Sequence, residues 1–124
     1  MNPLVPTYLS VLLIFYALLA AIVPDPVALR LVNPLGQSVR VGFAPLSVRA
    51  DVRIPRHPDN RAACVTLDGT MLFESCWQID EQSPITISKW WHDLPGGHYA
   101  ARARVQRGTQ VAYSQVLELT VLEN

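Results

Sequence analysis

Residues 47–54 read SVRADVRI and alternate without a break: Val48, Ala50, Val52 and Ile54 fall on one side, Arg49, Asp51 and Arg53 on the other. Only an extended chain gives side chains a period of two, so this stretch is a strand with one face on a core and one in water. The pattern returns further on. In HYAARARV (98–105), Tyr99, Ala101, Ala103 and Val105 oppose His98, Arg102 and Arg104, and within 111–121 Leu117, Leu119 and Val121 alternate with polar neighbours. Further strands are expected at 27–32, 38–43 and 85–91, and on both sides of Asp68-Gly69, a dipeptide suited to the positive φ angles of a two-residue hairpin turn. Turn clusters NPLG, PRHPDNRA, DLPGG and RGTQ punctuate the text, and no amphipathic helix lies between them. The expectation is an all-β antiparallel sandwich of about seven strands.

The N-terminus is written differently. Leu4 to Val23 contains no charged residue across 20 positions. As a helix that length spans roughly 30 Å, the thickness of a bilayer core. A cleaved signal peptide calls for a basic start and small residues at its cleavage site, but MNPLVPTY has no Lys or Arg, and Leu18 and Leu19 stand two residues before Ala20 and Ala21. Residues 1–24 therefore read as a retained membrane anchor, with a signal segment as the alternative. Residues 25–124 read as an immunoglobulin-like sandwich lifted off the membrane by the stiff VPDP spacer. Ala17 and Ala21 have the spacing of a helix-packing motif, a pattern common by chance. Arg30 alone argues weakly for a cytoplasmic domain.

Charge narrows the partners. Ten Lys+Arg balance ten Asp+Glu, which removes any bulk-charge argument for nucleic acid.

The two cysteines, Cys64 and Cys76, bracket the Asp68-Gly69 turn. With a two-residue turn there, Leu67 faces Thr70 and Cys64 faces Phe73. Cys76 then lies three residues past registry, and a bridge requires a bulge or a looped-out stretch. Three readings stay open: a disulfide, two free thiols, or a metal or redox pair. The last lacks both a C-x-x-C spacing and a second ligand pair. A disulfide would require an oxidising compartment and would place the sandwich outside the membrane.

Cys64, Leu67, Asp68, Gly69 and Cys76, followed by Leu94, Gly97, Tyr99, Arg102, Ala103 and Val105, resemble a phrase of bacterial immunoglobulin-like or fibronectin-III-like modules of cell-envelope and secreted proteins. These modules carry a C-x-L-D-G…C hairpin and then L-x-x-G-x-H/Y-x-x-x-A-R-A. The likeness covers about residues 62–122, with one extra residue between Cys64 and Leu-Asp-Gly. It implies a secreted or surface-exposed, non-catalytic module used as a spacer, stalk or adhesive unit.

Few residues suggest chemistry. His57, His92 and His98 share no strand or helix spacing, and each sits in or beside an expected loop. Asp59 and Asp93 could join them at one pole, but loop histidines are ordinarily solvated. Ser88, His92 and Asp93 make a hydrolytic triad only on paper, with no nucleophile elbow beside the serine. Adjacent strand residues point to opposite faces, so Trp90 and Trp91 cannot both enter the core. An exposed indole from Trp90 or Trp91, with Trp77, would offer a stacking surface for a glycan or a protein anchor. Arg49 with Arg53, and Arg102 with Arg104, read as solvated stripes near Asp51 and Glu118.

The expected function is that of a membrane-anchored, extracytoplasmic, non-catalytic binding, adhesive or structural module. It would meet the membrane through residues 4–23, take a protein or glycan partner, and use no cofactor, metal or catalytic residue. A carbohydrate-binding accessory module is the alternative, and a small hydrolase or metalloenzyme on sandwich loops is the least supported reading.

Overall fold

A computed structural model describes residues 27–82 and 86–123. The expected N-terminal helix and the membrane segment 4–23 lie outside the described residues. Among the described residues no helix is long and apolar enough to cross a membrane.

Among the described residues nine strands form two sheets: β1 (Ala28–Val32), β2 (Val41–Phe43), β3 (Leu46–Arg53), β4 (Asn60–Asp68), β5 (Leu72–Gln78), β6 (Thr86–Leu94), β7 (Gly97–Arg107), β8 (Gln110–Tyr113) and β9 (Leu117–Leu122). Sheet A has the order β1-β3-β6, and sheet B the order β2-β9-β7-β4-β5 with β8 beside β7. This two-sheet arrangement fits a generic immunoglobulin-like sandwich.

Alternation becomes burial as expected. Val48, Ala50 and Val52 of β3 meet Val65 and Leu67 of β4, Ala101, Ala103 and Val105 of β7, and Leu117, Leu119 and Val121 of β9 in one core. Arg49 and Arg53 of β3, and Arg102 and Arg104 of β7, stay on the outer faces. Each large aliphatic side chain so buried contributes about 1.5–3 kcal/mol. Tyr99 is buried too, and its hydroxyl donates to the Pro95 carbonyl at 2.8 Å. That bond ties the start of β7 to the preceding turn, as a tyrosine corner does in such sandwiches.

Three expectations are corrected. The strands among the described residues number nine and not about seven, and the run 111–121 breaks at Ser114–Val116. There the Ala103 N–H donates to Ser114 Oγ, and the Ser114 N–H donates to the Ala103 carbonyl, both at 2.9 Å. A side chain thus takes over one rung where the backbone leaves the ladder of β7. The sandwich is also not wholly antiparallel, since β2 runs parallel to β9, Val41 opposite Thr120 and Phe43 opposite Leu122.

The third correction concerns the hairpin. Asp68 pairs with Leu72, so Gly69–Met71 form a three-residue connection, and Cys64 lies directly opposite Cys76 with no bulge. Gly69 does not adopt a positive φ. Its value is closeness: a Cβ there would collide with the His98 carbonyl oxygen and the Tyr99 side chain. The turn packs on β7, starts one residue later and is one residue longer than the dipeptide suggests, so the partners on β5 shift by three and Leu67 faces Phe73 in place of Thr70.

Candidate functional site

The outer face of sheet A gathers a group of polar and aromatic side chains. β3 supplies Ser47, Arg49 and Asp51, and β6 supplies Ser88, Trp90 and His92, each set two residues apart and so on one face. The pairing of β3 with β6 sets Arg49 opposite Trp90 and Asp51 opposite Ser88. The Arg49 guanidinium lies 5.6 Å from the Trp90 ring centroid, within range of a cation–π contact. It also donates twice to the Asp51 carboxylate, from Nε at 2.8 Å and from Nη2 at 3.0 Å. The Ser88 hydroxyl donates to the same carboxylate at 2.7 Å. The Trp90 and His92 rings are parallel within 7°, centroids 5.7 Å apart, and His92 Nδ1 is hydrogen-bonded to the Ser47 hydroxyl at 3.1 Å.

Asp51 is already satisfied by Arg49 and Ser88, and Ser88 bonds Asp51, not His92. Ser88 and His92 stand four residues apart on one strand, roughly 13 Å, too far for proton transfer. The expected triad of Ser88, His92 and Asp93 is thus not assembled. Asp93 instead takes a left-handed backbone, φ 55°, near the end of β6.

The tryptophans divide. Trp91 is in the core, 4% exposed, and offers no surface to a ligand. Trp77 lies on the inner side of β5 and packs on the core margin. Trp90 alone is half-buried on an outer face.

The histidines scatter. His92 is on the outer face of sheet A. His98 is on that of sheet B, bonded to the Thr120 hydroxyl at 3.2 Å. His57, in the loop before β4, accepts the Asp59 N–H at 3.0 Å. His92 and His98 lie in β6 and β7, close to the turn that joins these strands. Among the described residues no three His, Cys, Asp or Glu side chains gather to hold a metal. His57 and Asp59 do line a cleft of about 480 Å³ with Arg107 and Gly108, but the guanidinium there opposes a cation.

Cys64 and Cys76 form a disulfide, Cα atoms 4.1 Å apart, on the outer face of sheet B. Beside it Arg104 Nη1 donates to Glu74 Oε2 at 3.2 Å, and the Arg102 guanidinium sits 4.4 Å from the Tyr113 ring centroid. The two arginine stripes therefore occupy opposite faces of the sandwich, and each has local partners.

The sequence reading missed the Arg49–Trp90–His92 group. Its signal was legible in part, because Ser88, Trp90 and His92 are spaced by two.

No family model matches the chain, and no curated protein matches it. Among the solved structures to which the chain is similar are two. One is the CARDB domain of a Pyrococcus furiosus protein in complex with di-metal ions, with 13% identity and TM-score 0.47, covering 82% of this chain and 96% of that one. The other is a Jonesia denitrificans lytic polysaccharide monooxygenase, with 15% identity and TM-score 0.44, covering 74% of this chain. The chain spans 63% of the monooxygenase's length. Neither likeness bears on the site described above.

Proposed function

We propose that the protein is a membrane-anchored, extracytoplasmic, immunoglobulin-like module that acts by binding or by structural support, without catalysis. The observation that carries this reading is the Cys64–Cys76 disulfide, a bond that forms and persists in oxidising compartments and is rare in reducing ones. With the 20-residue apolar segment from Leu4 to Val23, it supports a topology with the N-terminus inside and the sandwich outside. The self-satisfied polar group on sheet A supports recognition over chemistry. The test is a thiol count, with and without reductant, on protein taken from its native membrane, together with its mature N-terminus. Two thiols that label only after reduction, on a membrane-bound chain that keeps residues 4–23, are expected. Two thiols that label at once would sink the outward topology.

A second reading, a carbohydrate-binding accessory module, is favoured by Trp90. It is the one tryptophan on an outer face, flanked by donors and acceptors of Arg49, Asp51 and Ser47. Titration with a glycan panel would then shift tryptophan fluorescence in the wild type and not in Trp90→Ala. An unmoved wild-type signal across the panel removes this reading.

A further inference from the structure

Five strands border the sheets among the described residues: β1 and β6 on sheet A, and β2, β5 and β8 on sheet B. An edge with unpaired N–H and C=O groups invites another strand, and proteins ordinarily blunt it. Four of the five are blunted. The end of β1 is already taken by a bridge from Val32 to Ser38, with Val39 N–H donating to the Leu31 carbonyl. β2 has three residues and stops before Pro45, and β8 has four. β6 turns a charge inward, because Lys89 pairs with the buried Ala50 and so lies on the inner face, and Asp93 bends the strand's end.

β5 has no such device. It runs seven residues without Pro, Lys or Arg. Its only charge, Glu74, points to the outer face and is already met by Arg104 and by the Thr66 hydroxyl. The Cys64–Cys76 pair is of the close type in which neither residue exchanges backbone hydrogen bonds with the other. Leu72, Glu74, Cys76 and Gln78 consequently direct their N–H and C=O groups away from β4, towards the open side. The disulfide holds this row in place before any partner arrives, which lowers the ordering cost of pairing.

We propose that a second copy of the chain adds to β5, antiparallel, about a two-fold axis through Ser75. That register overlaps all seven residues. It sets Phe73 opposite Trp77 of the second copy, twice, at positions where side chains approach most closely. Glu74 faces Cys76 of the second copy and not another Glu74. Sliding by one residue puts inner side chains on the wrong face. Sliding to centre on Glu74 sets like charges opposite each other, and sliding to centre on Cys76 separates the aromatic pairs. The chosen register joins two six-stranded sheets into one.

The test is the mass of the full chain in detergent micelles, by sedimentation with bound detergent subtracted, across the soluble concentration range. Wild type is expected at twice the mass of one chain. Glu74→Pro removes an outward N–H while sparing the bonds to β4, and Ser75→Lys gives β5 the inward charge that β6 has. Each is expected to halve the mass, with the disulfide intact by thiol titration as the check on folding. A single-chain mass for the wild type overturns the proposal. So does a dimer that survives either substitution, which would assign the contact to another surface such as residues 4–23 or to another edge.

Discussion

β5 and β6 are both edge strands, each held by one neighbour, and they are held in different ways. β6 sends Trp91 and Leu94 into the core, 4% and 0% exposed. β5 buries no side chain fully: Phe73, Ser75 and Trp77 are only half-covered, and the residues between them face water. What keeps β6 in place is apolar burial. What keeps β5 in place is the covalent bond from Cys76 to β4, helped by the Glu74–Arg104 pair. A strand without buried anchors is one that a disulfide stabilises to most effect, because little else opposes its detachment.

The sharpest way to break this contrast is Trp91→Ala. Removing a buried indole leaves a cavity, and the expected cost is about 3–5 kcal/mol, read as a lower urea midpoint. If Trp91→Ala costs no more than Trp90→Ala, β6 is not anchored by burial. Next is Cys64→Ala with Cys76→Ala. Opening so short a loop costs about 3 kcal/mol by the chain-entropy argument. Amide exchange is expected to quicken along β5 while β6 keeps its protection, and equal quickening in both strands would erase the distinction. The smallest effect belongs to the outer face of sheet A. Asp51→Ala removes the partner of a half-exposed arginine and is expected to cost about 1 kcal/mol or less. A larger loss would mean that the polar group, and not Trp91, holds β6 to β3.

Much of this was legible in the residues. The inner rows of β3, β7 and β9 follow directly from alternation, as does the opposition of Trp90 and Trp91. What was not legible depends on contacts distant in sequence. The Asp68-Gly69 dipeptide marks a turn, but its register is set by Gly69 packing on His98 and Tyr99, which no local rule contains. The break at Ser114 depends on Ala103 across the ladder. In the candidate site, the spacing of Ser88, Trp90 and His92 was readable. The meeting of His92 with Ser47, 45 residues earlier, was not, because it awaits the pairing of β3 with β6. The parallel strand β2 is too short to announce its partner.

That strand has a mechanical consequence. The described chain begins at the pole of Arg53 and crosses from sheet A to sheet B. It then runs as β2 alongside β9, whose last residues lie at the opposite pole beside Gly97. Tension between Val27 and Leu122 acts along the β2·β9 ladder. Bonds such as Thr120 N–H to the Arg40 carbonyl and Ala44 N–H to the Leu122 carbonyl, both 2.8 Å, are then strained together and not one after another. Pulled end to end, the sandwich should yield in one abrupt step, whereas pulling β5 sideways from Gln78 opens its ladder to β4 bond by bond until the Cys64–Cys76 disulfide stops it. A force–extension record with no sharp peak along the first axis would show that the clasp does not bear load.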